Sequence, residues 1–249
     1  MKSVPVSLMR GGTSKGVFML HQDLPKDNTE RDHLLLSIIG SHDHYGKQID
    51  GLGGATSSTS KIVIINQSDK PGIDVDYLFG HVAINEPIID YSGNCGNLTA
   101  AVGVFAIEQG LVKNITSPVT PVQIWQENLG QHIVVNVPVD HDGQIVTDGD
   151  TVIAGVPGTG APITIDFIKP GQGIESRVLL TGKVQETLHV YTFGEFKVSL
   201  VLAGNATVFI NETELGLCGT ESRDQINNDP DLLNKVEAIR CAASVQMGL

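Results

Sequence analysis

The stretch LTAAVGVFAI (98–107) carries no charge and only one hydroxyl, that of Thr99. A helix at a protein surface keeps a polar stripe toward water. One that is apolar all round must be buried on every side. The stretch is too short to cross a bilayer, which needs roughly 20 apolar residues, and Gly110 stands where such a helix would stop. Much of the remaining chain reads as strands: VFML (17–20), KIVIIN (61–66), HIVVNVPV (132–139), PITIDFI (162–168), RVLLTGKVQETLHVYTF (177–193), FKVSLVLA (196–203) and TVFI (207–210). They are rich in β-branched and apolar residues and are separated by Gly, Pro, Asn and Asp. A sheet wrapped around the buried helix is the simplest architecture, and the expected fold class is α+β. Two further helices are expected. One spans about 29–39, capped by Asn28 or Thr29 with Gly40 just past its end. The other spans about 230–247, with Asp229 as N-cap and Pro230 at the first helical position. TSPVTP (116–121) reads as the crossing to a second domain, which divides the chain into 1–117 and 118–249.

The net charge is −12 and aromatics are only 5% of the chain, so no basic face or stacking platform for nucleic acid is expected. A few local Lys and Arg can still receive a small anion. No apolar run reaches membrane-spanning length, and MKSVPVSLMRGG at the start has no secretory apolar core. Three cysteines, Cys95, Cys218 and Cys241, fit neither a disulfide framework nor a zinc site. The expected compartment is therefore the reducing cytoplasm, with no membrane partner.

The buried helix opens on SGNCGN (92–97). Its glycines allow close backbone approach. With Asn94 as cap, Cys95 would lie in the first turn, where amides and the helix dipole favour an anion. The alternative is an inert buried cysteine in a turn. GLGGATSSTSK (51–61) offers backbone N–H and hydroxyl donors to an anion. Lys61, where that loop becomes a strand, suits a base or a partner for a carboxylate. Alternatively, the loop is a solvated surface loop. MRGGTSKG (9–16) has the same character, and Arg10 is a natural fork for a carboxylate. TSKGVFML (13–20) and TSKIVIIN (59–66) echo one another, each placing Thr-Ser-Lys ahead of an apolar strand. SHDHYG (41–46) sets His42 and His44 about Asp43, but no third ligand stands at metal-binding spacing, so no metal is expected. Ser58 and Lys61 match S-x-x-K, and Ser92 with Asn94 matches S-x-N, the marks of a serine acyltransferase. Against that reading, Lys61 leads into a strand rather than a helix, and the K-T-G element is absent.

Taken together, MRGGTSKGVF, DGLGGATSSTSKIVII, NCGNLTAAVGVFAIEQGL, AGVPGTGAPI and LGLCGTE resemble the PrpF-like family of 2-methylaconitate cis-trans isomerases, methylitaconate isomerases and 4-oxalomesaconate tautomerases. The resemblance implies a diaminopimelate-epimerase-like fold of two similar domains, each a curled, mainly antiparallel sheet around a central helix. It implies no metal or organic cofactor and a small unsaturated di- or tricarboxylic acid as substrate. By the same resemblance the catalytic lysine and cysteine fall on Lys61 and Cys95. Arg10, Thr13, Ser14, Thr59 and Ser60 would hold carboxylates, and Asn94, Gly96 and Asn97 would surround the developing dienolate. Members of the family are longer. On that ground the chain is expected to be C-terminally truncated, to lack the second domain's central helix and to expose an apolar face that favours a homodimer. A non-catalytic remnant or binding module of the same fold is the alternative to an active isomerase.

Overall fold

A computed structural model describes residues 3–169 and 178–249. The chain divides into two compact units, Met1–Lys169 and Pro170–Leu249.

The first unit is an eight-stranded mixed sheet curled about one helix. Its strands are β1 (Ser7–Gly11), β2 (Ser14–Leu20), β3 (Lys61–Gln67), β4 (Val75–Val82), β5 (Ile89–Asp90), β6 (Val119–Gln126), β7 (Gln131–Pro138) and β8 (Thr164–Phe167). Their order is β1-β2-β3-β4-β6-β7-β8, with β5 on β4. β2–β3 and β4–β6 pair in parallel, and the other neighbours are antiparallel. The two parallel joins carry the helices α1 (Asn28–Ile39) and α2 (Gly96–Glu108) as their crossovers.

α2 is the apolar helix of the sequence. Leu98, Ala101, Val102, Phe105 and Ala106 are buried with Phe18, Val63, Tyr77, Ile124, Ile133 and Val135 from the strands around it. Gly103 lets it sit close to β7, because a Cβ there would lie 2.7 Å from Val135 Cγ1. On the opposite face of the sheet α1 buries Leu35, Leu36 and Ile39 against Val17, Met19, Ile62 and Ile64. β2 and β3 are therefore covered on both faces, which explains why both read as near-continuous apolar runs. α1 is capped one residue earlier than expected: the Asp27 side chain accepts from Glu30 N–H at 2.9 Å, and Gly40 closes the helix in the left-handed region.

The boundary expected at 117/118 falls inside this unit. Residues 119–121, read as the end of the crossing, instead open β6, which pairs with β4 on one side and β7 on the other. β6 therefore completes the sheet around α2.

The second unit holds β9 (Glu186–Val190), β10 (Gly194–Leu202) and β11 (Ala206–Ile210) as an antiparallel sheet in the order β11-β10-β9. Of the strand expected over 177–193, only β9 forms, and Arg177 lies outside the described residues. Two short helices, α3 (Glu212–Leu215) and α4 (Arg223–Asn227), precede α5 (Pro230–Met247). α5 is capped by Asp229 and opened by Pro230, as expected. Its Ile239, Ala243 and Met247 are buried against Leu188, Val190, Phe196, Val198 and Leu200. This corrects the expectation of a sheet without its helix: α5 covers the apolar face that was to be left open. Among the described residues no helix is long and apolar enough to cross a membrane.

Candidate active site

The β1–β2 hairpin, the start of β3 and the N-terminus of α2 meet at one edge of the curled sheet. The two Thr-Ser-Lys echoes explain part of this. They open neighbouring parallel strands, with Val17 paired to Ile62 and Phe18 to Val63, which sets Gly16 level with Lys61 and Ser14, two residues back, on the same face. Lys61 Nζ donates to Ser14 Oγ at 3.1 Å and to Cys95 Sγ at 3.2 Å, and Cys95 Sγ lies 3.9 Å from Ser14 Oγ. Lys61 Nζ also stands 5.9 Å from the centre of the Phe79 ring. Cys95 and Ser14 are buried, at 8% and 3% exposure. An amine, a thiol and a hydroxyl thus stand together, the thiol and hydroxyl buried and the amine half-buried.

Cys95 is itself the N-cap of α2 and its side chain makes no capping bond. Asn94, expected as the cap, instead accepts from Cys95 N–H at 2.7 Å. The Thr99 hydroxyl donates back to Cys95 C=O at 3.0 Å. The chain ahead of Cys95 is anchored as well. Tyr91 O–H donates to Asp32 Oδ1 at 2.8 Å, and Asn128 Nδ2 donates to Tyr91 C=O at 2.7 Å. Gly96 and Asn97 are exposed at the mouth, and Asn97 Nδ2 donates to Thr13 Oγ1 at 3.1 Å.

The other sequence candidates divide. Arg10 is exposed near the hairpin turn, with Nη1 donating to Gly12 C=O at 2.8 Å. Thr59 is half-buried and bonds Thr56 Oγ1 at 2.7 Å. Ser60 points elsewhere. Because side chains alternate along an extended chain, Lys61 facing the thiol puts Ser60 on the opposite side. There it is fully buried, donating to Val82 C=O at 2.7 Å and accepting from Gln48 Nε2 at 2.8 Å. Ser58 Oγ lies 3.1 Å from Thr56 Oγ1, while the Lys61 ammonium is taken up by Ser14 and Cys95, so the S-x-x-K pair is not assembled. Asp43, between His42 and His44, accepts from the backbone N–H groups of Lys47, Tyr45 and Gln48, which hold its carboxyl below the usual range. Among the described residues no group of three His, Cys, Asp or Glu could hold a metal.

Sequence reasoning missed Gln48 and Lys15. Gln48 is 2% exposed; its Nε2 donates to Ser41 Oγ and Ser60 Oγ, and its Oε1 accepts from Ala55 N–H. It is the internal brace of the 41–60 loop. Gln48→Leu takes the acceptor from Ala55 N–H and a donor from the Ser41 and Ser60 hydroxyls, which keep their bonds to Ala83 and Val82 C=O, and each lost bond is worth about 0.5–1.5 kcal/mol. The expected outcome is a thermal midpoint lowered by several degrees, measured by circular dichroism. Lys15 donates its backbone N–H to Ser58 C=O at 2.9 Å. Its ammonium lies 3.4 Å from where a Cβ on Gly54 would stand, in the same place as Thr59 Oγ1. The signal was available in the sequence, since Lys15 is the counterpart of Lys61 in the Thr-Ser-Lys echo.

The model of the family described as PrpF protein matches residues 1–249. The chain belongs to the PrpF family. A PrpF relative named 2-methyl-aconitate isomerase, from Shewanella oneidensis, is 48% identical over 99% of this chain and 64% of its own length. One named 4-oxalomesaconate tautomerase, from Pseudomonas putida, is 41% identical over 99% of this chain and 66% of its own. The crystal structure of methylitaconate-delta-isomerase superposes with a TM-score of 0.73 at 43% identity, over 98% of this chain and 62% of that one. The chain thus spans less than two thirds of the length of these PrpF relatives. A hydroxyproline epimerase from Agrobacterium vitis, at 12% identity, shares the fold with a TM-score of 0.52 over 93% of this chain and 59% of that one. The fold is the α+β, diaminopimelate-epimerase-like one that the motifs implied.

Proposed function

We propose that this chain moves a proton within a small unsaturated di- or tricarboxylic acid, with Lys61 and Cys95 as the two proton-handling groups. The observation that carries the reading is the 3.2 Å hydrogen bond between Lys61 Nζ and Cys95 Sγ at the N-terminus of α2. An allylic shift or a keto–enol tautomerisation removes a proton from one carbon and delivers one to another atom of the same conjugated system. One member of the pair takes the proton and the other supplies it. Because the two are in contact, they reach the substrate from the same side. The proton can then pass between them to restore the starting state, so the balance closes within the pair. Charge on the dienolate builds toward the substrate carboxylate, where donors fixed in advance are most effective. Ser14 O–H, the first turn of α2 and Asn97 are the donors proposed for that charge.

A substrate with two or three carboxylates needs cations as well as neutral donors. Arg10, whose guanidinium bonds Gly12 C=O beside Asn97, is the cation proposed for this, with the hydroxyl of Thr13 near it. Arg10→Met is expected to raise KM about 10- to 100-fold, the range for losing a hydrogen bond to a charged group, while kcat changes far less. Steady-state kinetics separates the two.

The acids named in the relatives define the first substrates to test: 2-methylaconitate, methylitaconate and 4-oxalomesaconate. Incubation in D2O with nuclear magnetic resonance detection should show isomerisation together with deuterium entering the allylic position of at least one. No isomerisation and no exchange with any of the three would leave ligand binding without catalysis as the better reading.

A further inference from the structure

His81 is not used by this two-group scheme, yet it stands next to it. In the β3–β4 ladder it lies directly opposite Lys61, and in the β4–β5 ladder directly opposite Asp90. Val82 N–H donates to Ser60 C=O at 3.0 Å, so residues 60 and 82 form a hydrogen-bonded pair. The neighbouring pair, Lys61 with His81, is then of the non-hydrogen-bonded kind, in which facing side chains come closest, with Cβ atoms about 4.5–5.5 Å apart. Directly opposed residues share a face of the sheet. Lys61, His81 and Asp90 thus form a row across three strands, and its lysine end touches the Cys95 thiol.

We infer that His81 is a positioning residue for the Lys61–Cys95 pair, its charge deciding how the shared proton divides between amine and thiol. The inference rests on the reading that these two groups handle the proton, but it concerns the ionisation of the pair and needs no turnover. The charged and titratable groups facing His81 are Lys61 from β3, Asp90 from β5 and, beyond the lysine, Cys95 from α2. Burial pulls the imidazole below its ordinary range, and the neighbouring Lys61 charge pulls the same way; Asp90 opposes both. Asp90 is a fixed anion, because the Ser92 side chain and backbone N–H hold its carboxyl below the usual range. A neutral imidazole adds no charge to the site. A protonated one sets a second cation beside the ammonium, nearer to it than to the sulfur, so the shared proton shifts from nitrogen toward sulfur.

The test measures alkylation of Cys95 by iodoacetamide against pH, resolved by mass spectrometry, with the exposed Cys218 and Cys241 as internal references. His81 is titrated in parallel through its ring nitrogens by nuclear magnetic resonance. Below the His81 midpoint, Cys95 should react several-fold more slowly than the line drawn from higher pH allows, because the imidazolium drives the shared proton onto sulfur. His81→Gln should remove that step and leave a single ionisation. Asp90→Asn withdraws the support for the imidazolium, so the resonance midpoint and the step should move together to lower pH. A parent profile without a step, or a step that stays in place while the Asp90→Asn midpoint moves, overturns the inference. If His81→Gln does not fold, the parent and Asp90→Asn profiles decide alone. Failure of every carboxylic acid to isomerise would count against the proposed reaction and leave this measurement standing.

Discussion

Lys61→Ala and Cys95→Ala should each lower kcat for isomerisation by about 10²–10⁴-fold, the usual worth of a positioned acid or base, with the fold unchanged. The geometry gives each variant its own reason. Without the amine, the thiol keeps only the Ser14 hydroxyl, 3.9 Å away, and loses its partner for proton exchange. Without the thiol, the ammonium keeps Ser14 but has no second group through which the proton can return. The double variant should be scarcely worse than either single one, since groups that act as a unit are strongly non-additive. Lys61→Arg should be nearly as inactive, because a guanidinium stays protonated and cannot serve as a base. Ser58→Ala is the control and should stay near the parent, because Ser58 bonds Thr56 within its loop. Steady-state kinetics with thermal melts checks all five. Near-normal kcat in either single alanine variant would remove that residue from the proposed pair.

What could be read in the sequence follows from how strongly each element is dictated locally. α2 was legible because its apolar residues leave no side for water, and β3 because IVII is covered by α1 on one face and by α2 on the other. β4 was missed. VDYLFGHV is also buried on both faces, but Asp76, Gly80 and His81 interrupt it, so neither alternation nor an apolar run stands out. Gly80 is there because a Cβ would come within 2.7 Å of the Ile62 side chain. β6 was hidden by Pro118 and Pro121, which suggested a crossing and moved the expected boundary from 169/170 to 117/118. The site divided in the same way. Lys61 and Cys95 stood out by residue type and surroundings. Their contact, the buried place of Ser14 and the row through His81 depend on strand register, which joins residues far apart in the chain. Ser60 was assigned to the substrate because its loop is rich in hydroxyls, yet the alternation at the start of β3 turns it toward Gln48.

Gly11→Ala should be strongly damaging to turnover although the residue carries no chemistry. Gly11 is the last residue of β1 and is buried where the hairpin meets α2. A Cβ there would overlap the Asn97 carbonyl oxygen and lie 2.8 Å from Leu98 Cα and 3.1 Å from Asn97 C. All three are backbone atoms, so no side chain can rotate to make room. Either the hairpin or the first turn of α2 must shift. The hairpin carries Ser14 and Lys15, and the first turn follows directly on Cys95, so either movement draws Ser14 away from the thiol. Displacements of about 1 Å at a reacting centre cost roughly 10²-fold in rate, and that is the expected fall in kcat/KM. The overpacking itself should destabilise by about 1–3 kcal/mol. Gly72→Ala is the matching control. Its φ is +76°, so it carries strain of its own, but nothing lies within 4 Å of the added carbon. It should lose some stability and keep its rate. Kinetics and melting curves on both variants separate the two effects. If Gly11→Ala keeps kcat/KM within a few-fold of the parent, the close approach of hairpin to helix does not hold the proton-handling groups in place.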